Sequence, residues 1–380
     1  MKIAFVTNIC AHYRIRTFEL LSEKLPIDFF FFSAGKEWYW QQEHGIHSGI
    51  FNYQYLSGFS LGRTRISLGL PWKLWINKYD VYIKGINGKF ALPITYFIAR
   101  LKGKPFILWT GIWMRLQTLT HRIIYPITKY IYIHSDAVVV YGDHVKRFLV
   151  SEGVSPERIF VANHAVDNQL YNADITTDEK STLRKSLKIE GSDLVVLYLG
   201  RLEESKGIEY LLHGFKNLKK YDNTVLVIAG TGNQENIIKQ KAIELGINNQ
   251  VRFPGYVDYS DAAKYFSLAT IFVLPSISMS TGKEPWGLVI NEAFNQGLPV
   301  VVSDAVGAAS GGLVEDGING FVVPERDSTA ITSAITDILD DDQLRGVMSN
   351  NARTKISNWN NEKMVHGFTD AVDYVLSQRT

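Results

Sequence analysis

The sequence predicts an α/β protein of two doubly wound, parallel-sheet domains. Three observations predict it: a length of 380 residues, short apolar runs that alternate with helix-length segments, and a polar stretch midway along the chain after which the alternation starts again. Single cores stop growing beyond about 250 residues, so this chain suits two domains of roughly 150 to 200 residues each. Short apolar strands separated by helices point to parallel strands joined by crossovers.

Ile3-Ala4-Phe5-Val6 opens as a strand, residues 16–24 read as a helix, and residues 29–32 return as a strand, a βαβ start. Further strands are expected at 81–83, 106–109, 137–140 and 159–161. Residues 172–191 turn polar, with Thr176-Thr177-Asp178-Glu179-Lys180 inside them, and the domain junction is placed there. The second series has strands at 194–199, 225–229, 251–253, 271–274 and 299–303. Residues 337–374 read as helical with a break near Trp359, so that the last helix crosses back onto the first domain. The expected division is 1–175 for the first domain, 190–355 for the second and 356–380 for the returning helix.

Hydrophobic residues at 46% and charged residues at 21% give the balance of a folded globular chain and exclude disordered and fibrous classes. The lone Cys10 can form no intrachain disulfide and sits among apolar neighbours, as in a reducing compartment. The first strand is too short for a secretory signal, and Lys89 and Lys102 bound the apolar stretch around 91–101, so neither a leader nor a membrane span is expected. Charge is divided unevenly: 20 Lys and Arg against 10 Asp and Glu over residues 1–165, and 20 against 28 thereafter. The basic half suits either a solvated surface or contact with anionic lipid. The expectation is a cytoplasmic protein, peripheral on the inner face of the membrane where that contact is made, with no nucleic-acid partner.

The strand ending at Leu199 runs into Gly200-Arg201-Leu202-Glu203-Glu204-Ser205-Lys206-Gly207, after which 208–218 reads as a helix. A glycine turn at the carboxyl end of a parallel strand, followed by a helix start, is where anions bind. Arg201 can fork onto phosphate oxygens and Lys206 supplies a mobile point charge. The plain alternative is a surface loop with routine charges. A second constellation, Gly282-Lys283-Glu284-Pro285-Trp286-Gly287-Leu288-Val289-Ile290-Asn291-Glu292-Ala293, precedes Gly297-Leu298-Pro299-Val300-Val301. Its helix is expected to begin near Gly287 and end at Gly297. Glu284 then lies in a loop and Glu292 in the helix, and the amides near Gly287 and Leu288 are available to a hydroxyl or phosphate.

Gly200-Arg201-Leu202, Lys206-Gly207, the pair Glu284 and Glu292, and Gly297-x-Pro299-Val300-Val301 together resemble the signature of glycosyltransferase family 4, retaining enzymes of the GT-B fold. Val251-Arg252-Phe253-Pro254-Gly255-Tyr256, Gly230-Thr231-Gly232, Asn163-His164-Ala165-Val166-Asp167 and Asn319-Gly320-Phe321 support it; the likeness is strong from about Asp136 to Pro324 and weak before. The resemblance implies two Rossmann-like domains facing across a cleft and retaining hexosyl transfer from a UDP- or GDP-linked sugar to a glycan or lipid-linked acceptor, as in cell-surface polysaccharide synthesis. It implies that Arg201 and Lys206 bind the diphosphate beside Gly200, that Glu292 holds the ribose, that Glu284 with Trp286, Gly287, Leu288 and Val289 addresses the sugar, and that Gly255 and Tyr256 lie near the base. It implies further that Glu284, Arg201 and Lys206 carry the catalysis, and neither a cofactor nor a metal is expected.

The first domain departs from the family pattern. Residues 7–14 lack a glycine-rich loop but hold an Asn, Tyr and Arg arrangement, and Trp109-Thr110-Gly111-Ile112-Trp113 stands where many members have a histidine. Tyr13, Arg14, Trp109 and Gly111 are the acceptor-side candidates, with Trp109 and Trp113 fitting either a sugar platform or a core. Arg16, Arg63 and Arg65 also lie near first-domain loops. The histidines, His44 and His47 among them, show no metal-ligand spacing, and Asp340-Asp341-Asp342 reads as an acidic helix start. A nicotinamide oxidoreductase would want Gly-x-Gly-x-x-Gly after the first strand, which is missing, and Gly230-Thr231-Gly232 lacks the third glycine. A sugar-nucleotide epimerase, an inverting transferase and a non-catalytic sugar-nucleotide-binding protein of the same fold are the remaining alternatives.

Overall fold

The computed structural model describes residues 1–33, 50–62, 64–218, 221 and 223–378. Arg63, His44 and His47 lie outside the described residues. The chain divides into unit 1, Met1–Val166 with Asn361–Thr380, and unit 2, Asp167–Asn360.

Unit 1 runs β1 (Ile3–Thr7), α1 (Ile15–Lys24), β2 (Ile27–Phe31), β3 (Tyr53–Tyr55), β4 (Phe59–Leu61), β5 (Thr64–Ile66), α2 (Gly69–Ile76), β6 (Val81–Gly85), α3 (Ala91–Leu101), β7 (Phe106–Thr110), α4 (Leu119–His134), β8 (Ala137–Val140), α5 (Asp143–Ser151) and β9 (Ile159–Val161). Seven of its strands form a parallel sheet in the order β3-β2-β1-β6-β7-β8-β9. Every residue of β1, β6, β7 and β8 is buried, which is why these strands read as unbroken apolar runs rather than alternating ones. The direction of strand order reverses between β1 and β6, so the loops after these two strands flank the switch point where α/β sheets bind ligands. β4 and β5 form a separate antiparallel hairpin.

Unit 2 runs α6 (Asn168–Tyr171), α7 (Thr177–Ser186), β10 (Leu194–Leu199), α8 (Ile208–Lys216), β11 (Thr224–Ala229), α9 (Glu235–Glu244), β12 (Val251–Gly255), α10 (Ala262–Leu268), β13 (Ile271–Leu274), α11 (Val289–Asn295), β14 (Val300–Ser303), α12 (Gly307–Ser310), β15 (Gly320–Val323), α13 (Ser328–Asp340) and α14 (Asp342–Ser357). Its six strands are parallel in the order β12-β11-β10-β13-β14-β15, with the switch point between β10 and β13. Asp341 caps α14 by accepting from the Leu344 amide, the helix-start role expected of that acidic run.

The last helix, α15 (Asn361–Ser377), is part of unit 1. The Asn361 amide group donates to Val166 O at 3.0 Å, and its Oδ1 accepts from Thr17 Oγ1 at 2.8 Å. At Gly367 a Cβ would stand 2.4 Å from Val161 O, so only glycine lets α15 lie this close to β9.

The junction falls at Val166, ahead of the expected 175, because α6 is stitched into unit 2. Asn168 Nδ2 donates to Ile356 O at 3.0 Å, and Asn295 Nδ2 donates to Asn168 Oδ1 at 3.0 Å. The polar stretch 172–191 is likewise no linker: it holds α7, opened by a capping box between Thr176 and Glu179. Residues 356–360 stay with unit 2.

Candidate functional site in unit 2

The turn after β10 begins at Gly200, whose amide donates to Ala229 O at 3.0 Å. Tyr198, on β10, donates its hydroxyl to Arg201 O at 2.7 Å and fixes the turn from below. The neighbouring backbone comes so near that a Cβ on Gly230 would lie 1.9 Å from Gly200 O, and one on Gly232 2.2 Å from Leu202 O. The chain then makes one 3-10 turn at Glu204–Lys206 and enters α8 through Gly207 at φ 64°. A Cβ there would meet Pro275 O at 2.1 Å, so glycine is what allows the loop after β13 to approach.

That loop brings Glu284 to Lys206. The Lys206 ammonium donates to Glu284 Oε2, with each side chain about one-seventh exposed, at 14% and 15%. Ser276 Oγ also donates to Glu284 Oε2, at 3.4 Å. Burial alone would raise the Glu284 carboxyl, but the Lys206 charge and hydrogen bond, Arg201 and Ser276 outweigh it and hold the group below its ordinary value. Glu284 is therefore a carboxylate at neutral pH. Arg201 is more open: its guanidinium pairs with Glu203 at 2.7 Å and is 53% exposed. Two cations and one buried carboxylate thus stand beside the switch point of the sheet, an arrangement able to take a polyanion on one side and orient hydroxyls on the other.

Glu292 lies in the first turn of α11, half-buried against the Tyr171 hydroxyl. Burial pushes its carboxyl up to about 7, and the Tyr171 hydrogen bond opposes that only in part. Among the described residues the Gly287 and Leu288 amides donate to no protein acceptor, as expected of a helix start. The helix itself starts at Val289 and its last residue is Asn295, two residues inside the expected limit at each end. Gly255 holds φ 80° at the end of β12 and accepts from the Gly230 amide at 2.7 Å, with Tyr256 exposed beside it.

Trp286 is a correction. Its side chain does not face a ligand: it is buried, donates Nε1–H to Asn291 Oδ1 at 2.8 Å and stacks on Trp359 with ring centroids 5.5 Å apart. Its backbone still matters, since Trp286 O accepts from Ala308 and Glu284 O from Gly307, which anchors the loop to the start of α12. An indole with a polar edge is as suited to a core pocket with a built-in acceptor as to a sugar face.

The unit 1 candidates also gather. The Arg14 guanidinium lies 4.8 Å from the Trp109 ring and 5.5 Å from the Tyr13 ring, and donates to Asn8 Oδ1 and Ile9 O at 3.3 Å each. Trp109 is buried against Phe5, Tyr141 and Phe368, so it forms core rather than a sugar platform. Arg14 is buried too. At Gly111 a Cβ would fall 2.4 Å from the Tyr141 ring. His164, which stands in the Asn-Gly-Val-Asp frame, stacks on Tyr141 at 4.2 Å, and burial holds it well below its ordinary value.

Four supporting residues escaped the sequence reading. Ser276 lies ahead of the motif and Asn291 inside it, and both are unremarkable types in a polar loop and a helix. Tyr198 sits on a strand, where an aromatic is ordinary. Tyr171 meets Glu292 from far away in sequence, and no spacing rule could pair them.

Two Rossmann-like units, one with a cation-bearing glycine turn at its switch point, define the GT-B class of transferase. The chain matches the family model of glycosyl transferases group 1 over residues 179–355. It is 28% identical over 292 residues to an uncharacterised glycosyltransferase of Methanocaldococcus jannaschii, covering 74% of this chain and 72% of that one. It is 25% identical over 280 residues to the capsular polysaccharide biosynthesis glycosyltransferase CapM of Staphylococcus aureus, covering 72% and 70%. Among solved structures it resembles HepE of Anabaena in complex with UDP, with TM-score 0.78, 19% identity and 98% and 100% coverage. The sucrose-phosphate synthase of Thermosynechococcus elongatus gives TM-score 0.77, 18% identity and full coverage of both chains.

Proposed function

We propose that this glycosyltransferase moves a hexosyl group from a UDP- or GDP-linked sugar to a glycan or lipid-linked acceptor, with retention and without a metal, in cell-surface polysaccharide synthesis. The observation that carries the reading is the Lys206–Glu284 pair with Arg201 at the unit 2 switch point. A leaving nucleoside diphosphate gains negative charge as the glycosidic bond breaks. Lys206 and Arg201 are the groups to meet it, a kind of stabilisation worth about 3 to 4 kcal/mol per donor. Glu284 holds the Lys206 ammonium beside the turn, and the resemblance to family 4 gives it the donor sugar to address. Glu292, once ionised, can accept both hydroxyls of a ribose.

The relatives favour the same direction: CapM is a capsular polysaccharide enzyme, and HepE has been solved with UDP and with UDP-glucose. Among the described residues no helix is long and apolar enough to cross a membrane. Residues 51–135 hold 12 Lys and Arg and one carboxylate, Asp80, while α2 exposes Trp72 and Trp75. These features support a peripheral seat on an anionic bilayer.

Calorimetric titration with UDP and GDP tests the donor reading directly. Binding of one of them, followed by transfer to a model acceptor that persists in EDTA and keeps the anomeric configuration by NMR, is the expected result. Folded protein that binds neither nucleotide removes it. Flotation with vesicles containing anionic lipid tests the peripheral seat, and equal recovery with neutral vesicles counts against it.

A further inference from the structure

Unit 1 contains a cavity of about 770 Å³ that none of the groups above accounts for. That is the size of a small-molecule pocket. Its walls fall into two regions. Ile112, Leu116, Ile124, Ile131 and Phe148, from α4, α5 and the loop after β7, make an apolar end. Asn8, Ser33, Asn87 and Lys89, beyond the carboxyl ends of β1, β2 and β6 next to the unit 1 switch point, make a polar end together with Arg65 of the β4–β5 hairpin.

Among the described residues the charges at this polar end, Arg65 and Lys89, are both positive, and no Asp or Glu lines the cavity. Lys89 has no carboxylate partner among the described residues, and it lies close enough to His121 to join burial in lowering that ring's proton affinity. Behind the wall Lys84 is fully buried and, among the described residues, donates to Gly85 O and Asn87 O alone, with the Phe32 ring 4.8 Å away. Asn87 and Phe32 both line the cavity. The apolar end, in turn, continues to the surface: Ile127 lines the cavity and also stands in the exposed row Leu119, Ile123, Ile127 and Tyr130 along α4.

We infer that this cavity holds the hydrocarbon chain of a phosphate-bearing lipid, with the chain between α4 and α5 and the phosphate at Lys89 and Arg65. Charge complementarity at one end and apolar lining at the other select an anionic amphiphile over a free sugar, which would leave the isoleucine-lined end unfilled. The row on α4 gives the chain a route from a bilayer. The inference rests on the glycosyltransferase reading only in making this lipid the acceptor; the binding itself is separate.

The test uses the full chain and a series of alkyl phosphates from six to twelve carbons, each below its micelle concentration, with inorganic phosphate, alkyl glucosides of equal length and UDP as comparisons. Affinity for alkyl phosphate should rise by about threefold to fourfold per methylene, the increment expected for burying each CH₂. Lys89→Ala should weaken alkyl phosphate at least fivefold and leave the glucoside unchanged. Ile124→Trp should weaken every long chain and leave UDP binding intact. The wild-type chain series stands alone if that variant does not fold. Alkyl phosphates that bind no better than inorganic phosphate, or no better than the matched glucosides, overturn the inference while UDP still binds; loss of UDP binding by the wild type instead strikes the donor reading.

Discussion

Lys206 and Glu284 are 78 residues apart in sequence and form an ion pair across the two loops that flank the unit 2 switch point. Gly207 makes the contact possible, because any Cβ there would strike Pro275 O. The pair is mostly shielded from water, so each charge depends on the other.

Lys206→Ala should lower the transfer rate by about 10² to 10³, the range seen when a donor to developing charge is removed. It also strands the Glu284 carboxylate, which costs up to about 3 kcal/mol of stability. Adding Glu284→Gln should return most of the stability and none of the rate. Thermal unfolding and turnover, measured on the single and double variants, check both halves. Unchanged turnover in Lys206→Ala would falsify its part in the chemistry.

Glu292 gives the second prediction. Its carboxyl is raised from 4.5 to about 7, chiefly by burial. The folded state therefore holds the proton more tightly than the unfolded chain does. The stability from this group is fully present below pH 4.5 and is lost as pH rises through about 7. Ribose binding runs the other way, since the ionised form is the better acceptor. Nucleotide affinity should fall as pH drops below about 7, by at most about tenfold per unit. Tyr171→Phe removes a group that favours ionisation, so the midpoint should move up. Glu292→Gln should flatten the profile. Titrations with UDP between pH 5.5 and 8.5 decide it.

The glycines of unit 2 give a contrast within one site. Gly230 has φ 132° and a Cβ there would sit 1.9 Å from Gly200 O, while Gly255 has φ 80° with nothing within 4 Å. Gly255→Ala should cost only the left-handed strain, about 1 to 2 kcal/mol. Gly230→Ala must also push the Gly200 turn aside. It should cost more than Gly255→Ala and weaken nucleotide binding besides. Denaturant midpoints and UDP titration on both variants test the ordering.

The parallel strands were legible because buried strands are short apolar runs bounded by turns: Ala137–Val140 and Ile271–Leu274 fall where they were read. Tyr53–Tyr55 and Phe59–Leu61 were not, being short and partly or wholly exposed, with no apolar run to mark them. In unit 2 the turn at Gly200 and the loop at Glu284 were visible because each sits directly after a strand. Their pairing was not, because residue spacing carries no distance between separate βα loops. Trp286 and Trp109 show the other limit. A tryptophan near a motif has the same letter whether its ring meets solvent or core, and only packing distinguishes the two. Asn168 shows why the junction moved: its contacts with Ile356 O, Trp359 O and Asn295 Nδ2 outweigh a polar composition.

Trp109 gives the last prediction. It is 2% exposed and packs edge to ring with Phe5 and Phe368, while the Arg14 cation lies over its face. A sugar platform replaced by alanine would raise the acceptor KM and spare the fold. A core tryptophan replaced by alanine costs about 3 to 5 kcal/mol, and here it also uncovers Arg14. Trp109→Ala should therefore destabilise unit 1 by that amount, with UDP still binding to unit 2 where the protein stays folded. Trp109→Phe keeps a ring under Arg14 and fills part of the space, so it should recover most of the loss. Thermal unfolding of both variants beside acceptor KM separates the roles: a raised KM in Trp109→Ala at unchanged stability would return Trp109 to the acceptor site.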